Sequence, residues 1–179
     1  MLPPPGAITL VTGPSGAGKS SLLRALRGAV DAHWIDIDRL EPDDVPLVDC
    51  FDETPLAGAL ALLSRVGLCE AWTYLRTPGE LSEGQRWRLK LALALHGSRR
   101  ERGHAILCAD EFAAILDRVT AMVVARALRK SIRAPLSALI ATSHDDLVDA
   151  LQPDLVVTCD FERILTRPRG VVSFADHET

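Results

Sequence analysis

Gly13-Pro14-Ser15-Gly16-Ala17-Gly18-Lys19-Ser20 fits the phosphate-binding pattern G-x-x-x-x-G-K-[ST] at every fixed position. Its flanks are the ones the pattern needs. Ala7-Ile8-Thr9-Leu10-Val11-Thr12 reads as a short, apolar, β-branched strand, and Ser21-Leu22-Leu23-Arg24-Ala25-Leu26-Arg27 has the apolar period of a helix. The glycines let backbone N–H groups turn inward around an anionic phosphate chain. The helix adds its unpaired amino-terminal N–H groups and the positive end of its dipole. Lys19 is expected to reach the β- and γ-phosphates, the Ser20 hydroxyl to ligate Mg²⁺, and Ser21 to complete the lining.

The totals bound the rest. The 179 residues fit one domain, taken as 1–179, and 47% hydrophobic with 4% aromatic content implies an aliphatic core. A net charge of −4 gives no global drive toward nucleic acid or anionic membrane. The basic run Ser98-Arg99-Arg100-Glu101-Arg102 reads as a solvated loop between a helix and a strand. Cys50, Cys69, Cys108 and Cys159 have no metal or disulfide spacing, so a reducing cytoplasm is the simplest setting. The first six residues lack the pattern of a signal peptide, and no apolar run approaches the ~20 residues of a transmembrane helix.

Along the chain, His33-Trp34-Ile35-Asp36-Ile37-Asp38 alternates like a strand, and 45–51 reads as another with Pro46 near its start. Residues 56–66 are helical by period with Gly67 as the stop, and 70–75 suggest a short second helix. The section from about 54 to 97 thus forms a small helical insertion. Within it, Leu81-Ser82-Glu83-Gly84-Gln85 opens a helix at 86–96. Ser82 with Gln85 three residues on is a capping box in purely structural terms.

His104-Ala105-Ile106-Leu107-Cys108-Ala109-Asp110-Glu111 is an apolar strand ending in two carboxylates. Paired acids at a buried strand's end suit a site at the carboxyl edge of a sheet. Asp110 is placed to hold Mg²⁺ and Glu111 to orient and deprotonate an attacking water. Asp117 precedes a helix at 118–133 and suits its N-cap. A further buried strand, 136–142, ends in Ser143-His144, so His144 is a candidate γ-phosphate contact. A helix at 146–151, a strand at 155–158 and an edge strand at 171–174 complete the pattern. Strands alternating with helices imply an α/β fold, a mostly parallel sheet flanked by helices.

The ordered set Gly13–Ser20, Leu81–Gln85, Ile106–Glu111 and His144 resembles the nucleotide-binding domain of the ABC ATPases. The resemblance implies a P-loop NTPase core with ATP and Mg²⁺ as ligands. Leu81–Gln85 is similar to the family signature, Asp110-Glu111 to its Walker B Asp and catalytic Glu, Leu116-Asp117 to the D-loop and His144 to the switch histidine. It further implies an ATP-sandwich homodimer in which Ser82, Gly84 and Gln85 of one chain face the γ-phosphate held by Lys19 of the other, with Asp117 making contacts across the interface. Val48-Asp49-Cys50-Phe51 and Asp110-Glu111-Phe112 resemble a subgroup often fused to a predicted GNAT-type acetyltransferase domain. A separately encoded acetyltransferase-like partner is therefore implied.

The chain departs from the family at two points. No Gln follows the strand expected at 45–51, and Asp49 is the first substitute. Only twelve residues precede Gly13, so a truncated amino-terminal β subdomain without the adenine-stacking aromatic is expected. These departures favour an ATP hydrolase in a non-transporter role. The alternatives are the ATP-binding subunit of an ABC transporter with a permease partner, a small nucleotide kinase, and a non-hydrolysing ATP sensor.

Overall fold

Four of the six strands in the computed structural model are runs of β-branched and apolar residues that a parallel sheet covered on both faces demands. The structure describes residues 2–98, 103–161 and 163–169. Strands β1 (Ile8–Thr12), β3 (Ala105–Ala109) and β4 (Leu136–Ala141) are buried throughout. Strands β2 (His33–Asp36) and β5 (Leu155–Cys159) flank them, and β6 (Ile164–Pro168) closes one edge. The spatial order is β2-β3-β4-β1-β5-β6, parallel except for the antiparallel β5–β6 pair. The α/β core with helices on both faces is therefore as expected.

Alternation along the strands sorts the core into two layers. Ile8, Leu10, Leu107 and Ile140 join the larger cluster, to which helices α2 (Leu56–Arg65), α3 (Glu83–Gly97) and α4 (Arg118–Ser131) contribute. Val11, Ile106, Leu139 and Val157 pack with Leu23 of α1 (Lys19–Ala29) on the opposite side. Asp154 pins the start of β1. Its Oδ2 accepts from Ile8 N and from Arg129, both at 2.8 Å. Burial pushes the Asp154 carboxyl up, but these donors outweigh it and hold the carboxyl below its ordinary value.

Two expectations are corrected, and one strand was not expected. Residues 45–51 form no strand; Leu47–Asp49 is a single 3₁₀ turn. The fully buried side chains there are Leu47 and Phe51, a helical i, i+4 spacing rather than an alternation, and Phe51 packs edge-on against His96 at 5.6 Å. The second insertion helix is a 3₁₀ segment, Ala71–Leu75. The unexpected strand is Ile164–Pro168, whose exposed residues carry no burial pattern to announce it. The edge strand expected at 171–174 lies outside the described residues, as does the basic run beyond Ser98. A short α5 (Val148–Leu151) follows a 3₁₀ turn, Asp145–Leu147.

Candidate functional site

The phosphate loop leaves β1 at Thr12 and enters α1 at Lys19. Its first glycine has no room for a side chain: at Gly13, φ is 136° and a Cβ would lie 2.0 Å from the Cys159 carbonyl oxygen. Gly18 takes the left-handed conformation as the residue before α1. The helix carries no side-chain cap and no acid in its first turn. Its amino-terminal N–H groups and positive dipole end therefore meet no competing carboxylate within that turn. Lys19 is 8% exposed, and its Nζ donates to the Gly13 and Pro14 carbonyls at 2.8 and 2.9 Å. The loop thus encloses its own cation.

Sheet order brings the other chemistry alongside. Asp110 and Glu111 follow β3, and His144 follows β4, the strand between β3 and β1. Glu111 N donates to Asp110 Oδ1 at 3.1 Å, and Glu111 holds a left-handed φ of 50°, with Ala113 at 59°. That backbone costs a side-chain-bearing residue roughly 1–2 kcal/mol. Phe112 is fully buried, donates its N–H to Ala141 O at 2.8 Å and meets Trp87 of α3 edge-on at 5.2 Å. Glu111 is therefore exposed on a turn clamped from beneath.

Several supporting groups were not singled out from the sequence. Thr142 Oγ1 accepts from His144 N at 3.1 Å and donates to Phe112 O at 3.5 Å, tying the histidine to the turn that bears Glu111. Arg118 lies 3.1 Å from His144 Nδ1 and pairs with Asp146. Thr12 Oγ1 donates to Asp145 Oδ1 at 2.6 Å, joining the root of the phosphate loop to the His144 segment. Asp38, just past β2, accepts from Asp110 N through Oδ2 at 3.0 Å. Desolvation raises the Asp38 carboxyl above its ordinary value; the Asp110 N–H opposes this, and Asp36 and Asp110 add to the rise. Asp38 stands at the end of the strand next to that of Asp110, whereas Asp49 lies in the turn packed under Ala71–Leu75. The signal for Asp38 was present: the alternating stretch His33–Asp38, like the strand before Asp110, ends in acids.

The Leu81–Gln85 segment forms the capping box its spacing suggests. Gln85 N donates to Ser82 Oγ at 3.3 Å, and Ser82 N donates to Gln85 Oε1 at 3.0 Å. A Cβ on Gly84 would come within 3.0 Å of Leu116 Cδ2 and 3.6 Å of Ile115 O, so this helix end rests on the segment before Asp117. Asp117 caps α4, accepting from Thr120 N at 3.0 Å, and the Thr120 hydroxyl and N–H hold its carboxyl below the usual value. Among the described residues no hydrogen bond or ion pair joins Ser82, Gly84, Gln85 or Asp117 to residues 13–21. Asp110, Glu111 and His144 thus lie past the carboxyl ends of the strands beside β1, while Ser82, Gly84 and Gln85 lie at the α3 amino end against the segment before Asp117.

For a metal, the donor chemistry near the loop is a hydroxyl, Ser20, and a carboxylate, Asp110. Among the described residues no group of three or more His, Cys, Asp or Glu is gathered to hold an ion. A few oxygen donors of this kind suit Mg²⁺, which shares its shell with phosphate oxygens and water.

The chain is similar to known ATP-binding proteins. No family model matches the chain. The lipoprotein-releasing system ATP-binding protein of Rhodospirillum rubrum is 31% identical over 86% of this chain and 81% of that protein. An aliphatic sulfonates import ATP-binding protein of Rhodococcus jostii is 30% identical over 98% and 79%. Among solved structures, a dimeric ATP-binding cassette in a post-hydrolysis state bound to ADP and phosphate aligns with a TM-score of 0.66, at 17% identity, over 92% of this chain and 87% of that one.

Proposed function

Since the chain belongs to the ABC ATPases and is an ATP hydrolase of that class, we propose that it is the ATP-hydrolysing subunit of an ABC transport system, working as a head-to-tail dimer at the cytoplasmic face of a permease. The observation that carries this reading is the kinship at 30% identity or more, across most of their length, with subunits of lipoprotein-release and sulfonate-import systems. It reverses the preference for a non-transporter role expected from the sequence. Among the described residues no helix is long and apolar enough to cross a membrane. The insertion exposes Leu56, Trp72 and Leu75, large apolar side chains suited to a protein contact.

The chemistry follows from the placement of side chains. Phosphate oxygens replace the Gly13 and Pro14 carbonyls as acceptors for Lys19, and the α1 amino end receives the remaining charge. Glu111 takes the proton of the attacking water. His144, held by Thr142 and Arg118, contacts the γ-phosphate. Ser20 and Asp110 would hold Mg²⁺, which when bound neutralises charge on the phosphates. The second group of residues, at the α3 amino end, then serves the nucleotide of the other subunit. One chain is taken as one cassette domain, 1–179, with the helical insertion at about 54–97.

A non-transporter ATPase, including one coupled to an acetyltransferase-like partner, is the second reading. It keeps one observation in its favour: the acid Asp38, not an amide, stands beside Asp110 at the end of β2.

The test is the ATPase rate per subunit against protein concentration, with size-exclusion chromatography with and without Mg-ATP. A rate that climbs with concentration is expected. Glu111→Gln should cut turnover by roughly 10²–10⁴ and trap a dimer in Mg-ATP. A flat rate from a monomer would refute the dimeric mechanism.

A further inference from the structure

The phosphate loop and the catalytic carboxylates account for one end of a nucleotide. We propose that Phe161, in the turn between β5 and β6, is the stacking platform for its base. This rests on the nucleotide-binding reading above.

The direction of the bound nucleotide is set by the sheet. His144, Asp110 and Glu111 all lie past the ends of β4 and β3, on one side of β1. β5 lies on the other side. A nucleotide whose terminal phosphate faces His144 and Glu111 therefore extends its sugar and base toward the carboxyl end of β5. Phe161 stands there, two residues past Cys159.

Its position is held from both sides. The Asp160–Arg163 turn is closed by Asp160 N to Arg163 O at 2.9 Å and Arg163 N to Asp160 O at 3.3 Å, and Phe161 N donates to Asp160 Oδ1 at 2.7 Å. On the other side, Gly13 sits directly on the Cys159 carbonyl. A Cβ placed on Gly16 would be 3.8 Å from Phe161 Cε1, an ordinary van der Waals distance, so the ring lies beside the phosphate loop itself. The ring is nevertheless 72% exposed. A single exposed phenylalanine is unremarkable. Of the large apolar side chains that are exposed among the described residues, Phe161 is the aromatic that abuts the loop; the other aromatic, Trp72, lies in the insertion.

A phenyl face offers stacking and no hydrogen-bond readout, and every base has a π-face. The platform thus contributes affinity with little choice between adenine and guanine.

The experiment is calorimetric titration of the full chain with Mg-ATP, Mg-GTP and inorganic tripolyphosphate, for wild type, Phe161→Ala and Phe161→Tyr. Phe161→Ala should raise the Kd of both nucleotides by roughly 5- to 150-fold and leave tripolyphosphate unchanged. Phe161→Tyr should stay close to wild type. Equal losses for nucleotide and tripolyphosphate, or no loss for either, would overturn the platform while leaving the phosphate site standing. A wild-type chain that binds neither ligand would overturn the nucleotide reading itself, and the platform with it.

Discussion

Gly84→Ala should separate the fold from turnover. Gly84 is the second residue of α3 and needs no left-handed backbone. The added methyl would lie 3.0 Å from Leu116 Cδ2, the free end of a flexible side chain, and 3.6 Å from Ile115 O, an ordinary contact. The first contact requires Leu116 to yield by a few tenths of an ångström. Against that, alanine gains up to about 0.5–1 kcal/mol over glycine within a helix, and less at its end. The two effects oppose each other, and the net change should stay within about 1 kcal/mol. For a chain of this length that moves Tm by less than about 4 °C. Turnover should respond far more. The methyl pushes on the segment that leads to Asp117, and in the proposed dimer it stands where the other subunit's γ-phosphate is received. A misplacement of about 1 Å at a reacting centre costs on the order of 10²-fold. Thermal unfolding and steady-state ATPase rate at high protein concentration, on the same preparation, make the assay. Wild-type turnover with unchanged Tm would refute the assignment of Gly84 to the nucleotide interface. A Tm loss beyond about 8 °C would show that its role is to pack α3 against Leu116.

Two further outcomes follow from buried polar groups. Asp154→Ala removes the acceptor of the fully buried Ile8 N–H and should cost roughly 1–3 kcal/mol at neutral pH by chemical denaturation. Because the folded Asp154 carboxyl is held low, its contribution is present above the ordinary carboxylate pKa and is lost as pH falls through the folded value, so variant and wild type should converge in acid. At the other extreme, burial pushes the Cys108 thiol up to about 12 and Cys50 to about 11, from 9.0. From about pH 9 upward the unfolded chain releases protons that the folded chain keeps, so stability should fall as pH rises, by about 2 kcal/mol from Cys108 alone near pH 10.5. Denaturation midpoints that do not change between about pH 8 and pH 10.5 would contradict this, as would alkylation of Cys108 as fast as that of exposed Cys69 in native protein.

What the sequence revealed was local. The phosphate loop, the carboxylates after β3 and the histidine after β4 each sit at the end of an apolar run, and a buried parallel strand is a short continuous stretch that needs no partner to be recognised. What it hid was relational. Leu47 and Phe51 are four apart within a seven-residue, mostly apolar stretch that contains Asp49, too short to tell a turn from a strand. Asp38 gains its place only because β2 pairs with β3 across some seventy residues of chain. β6 is an exposed edge whose sequence carries no two-residue period. The capping positions show the opposite case. Ser82 and Asp117 admitted both a structural and a ligand-binding reading, and the structure supplies the first without removing the second.

The reciprocal bonds of Ser82 and Gln85 bear on how readily two such subunits can part. They occupy two donors at the amino end of α3 and leave the Glu83 and Gly84 N–H groups with no protein acceptor among the described residues. Water serves those two groups in a lone subunit, and an anion can serve them in a closed pair. The helix therefore keeps its first turn intact whether or not a second subunit is present. In the proposed dimer, separation after each cycle would expose no broken helix end for chaperones or proteases to find. The resting subunit is a finished fold rather than half of one.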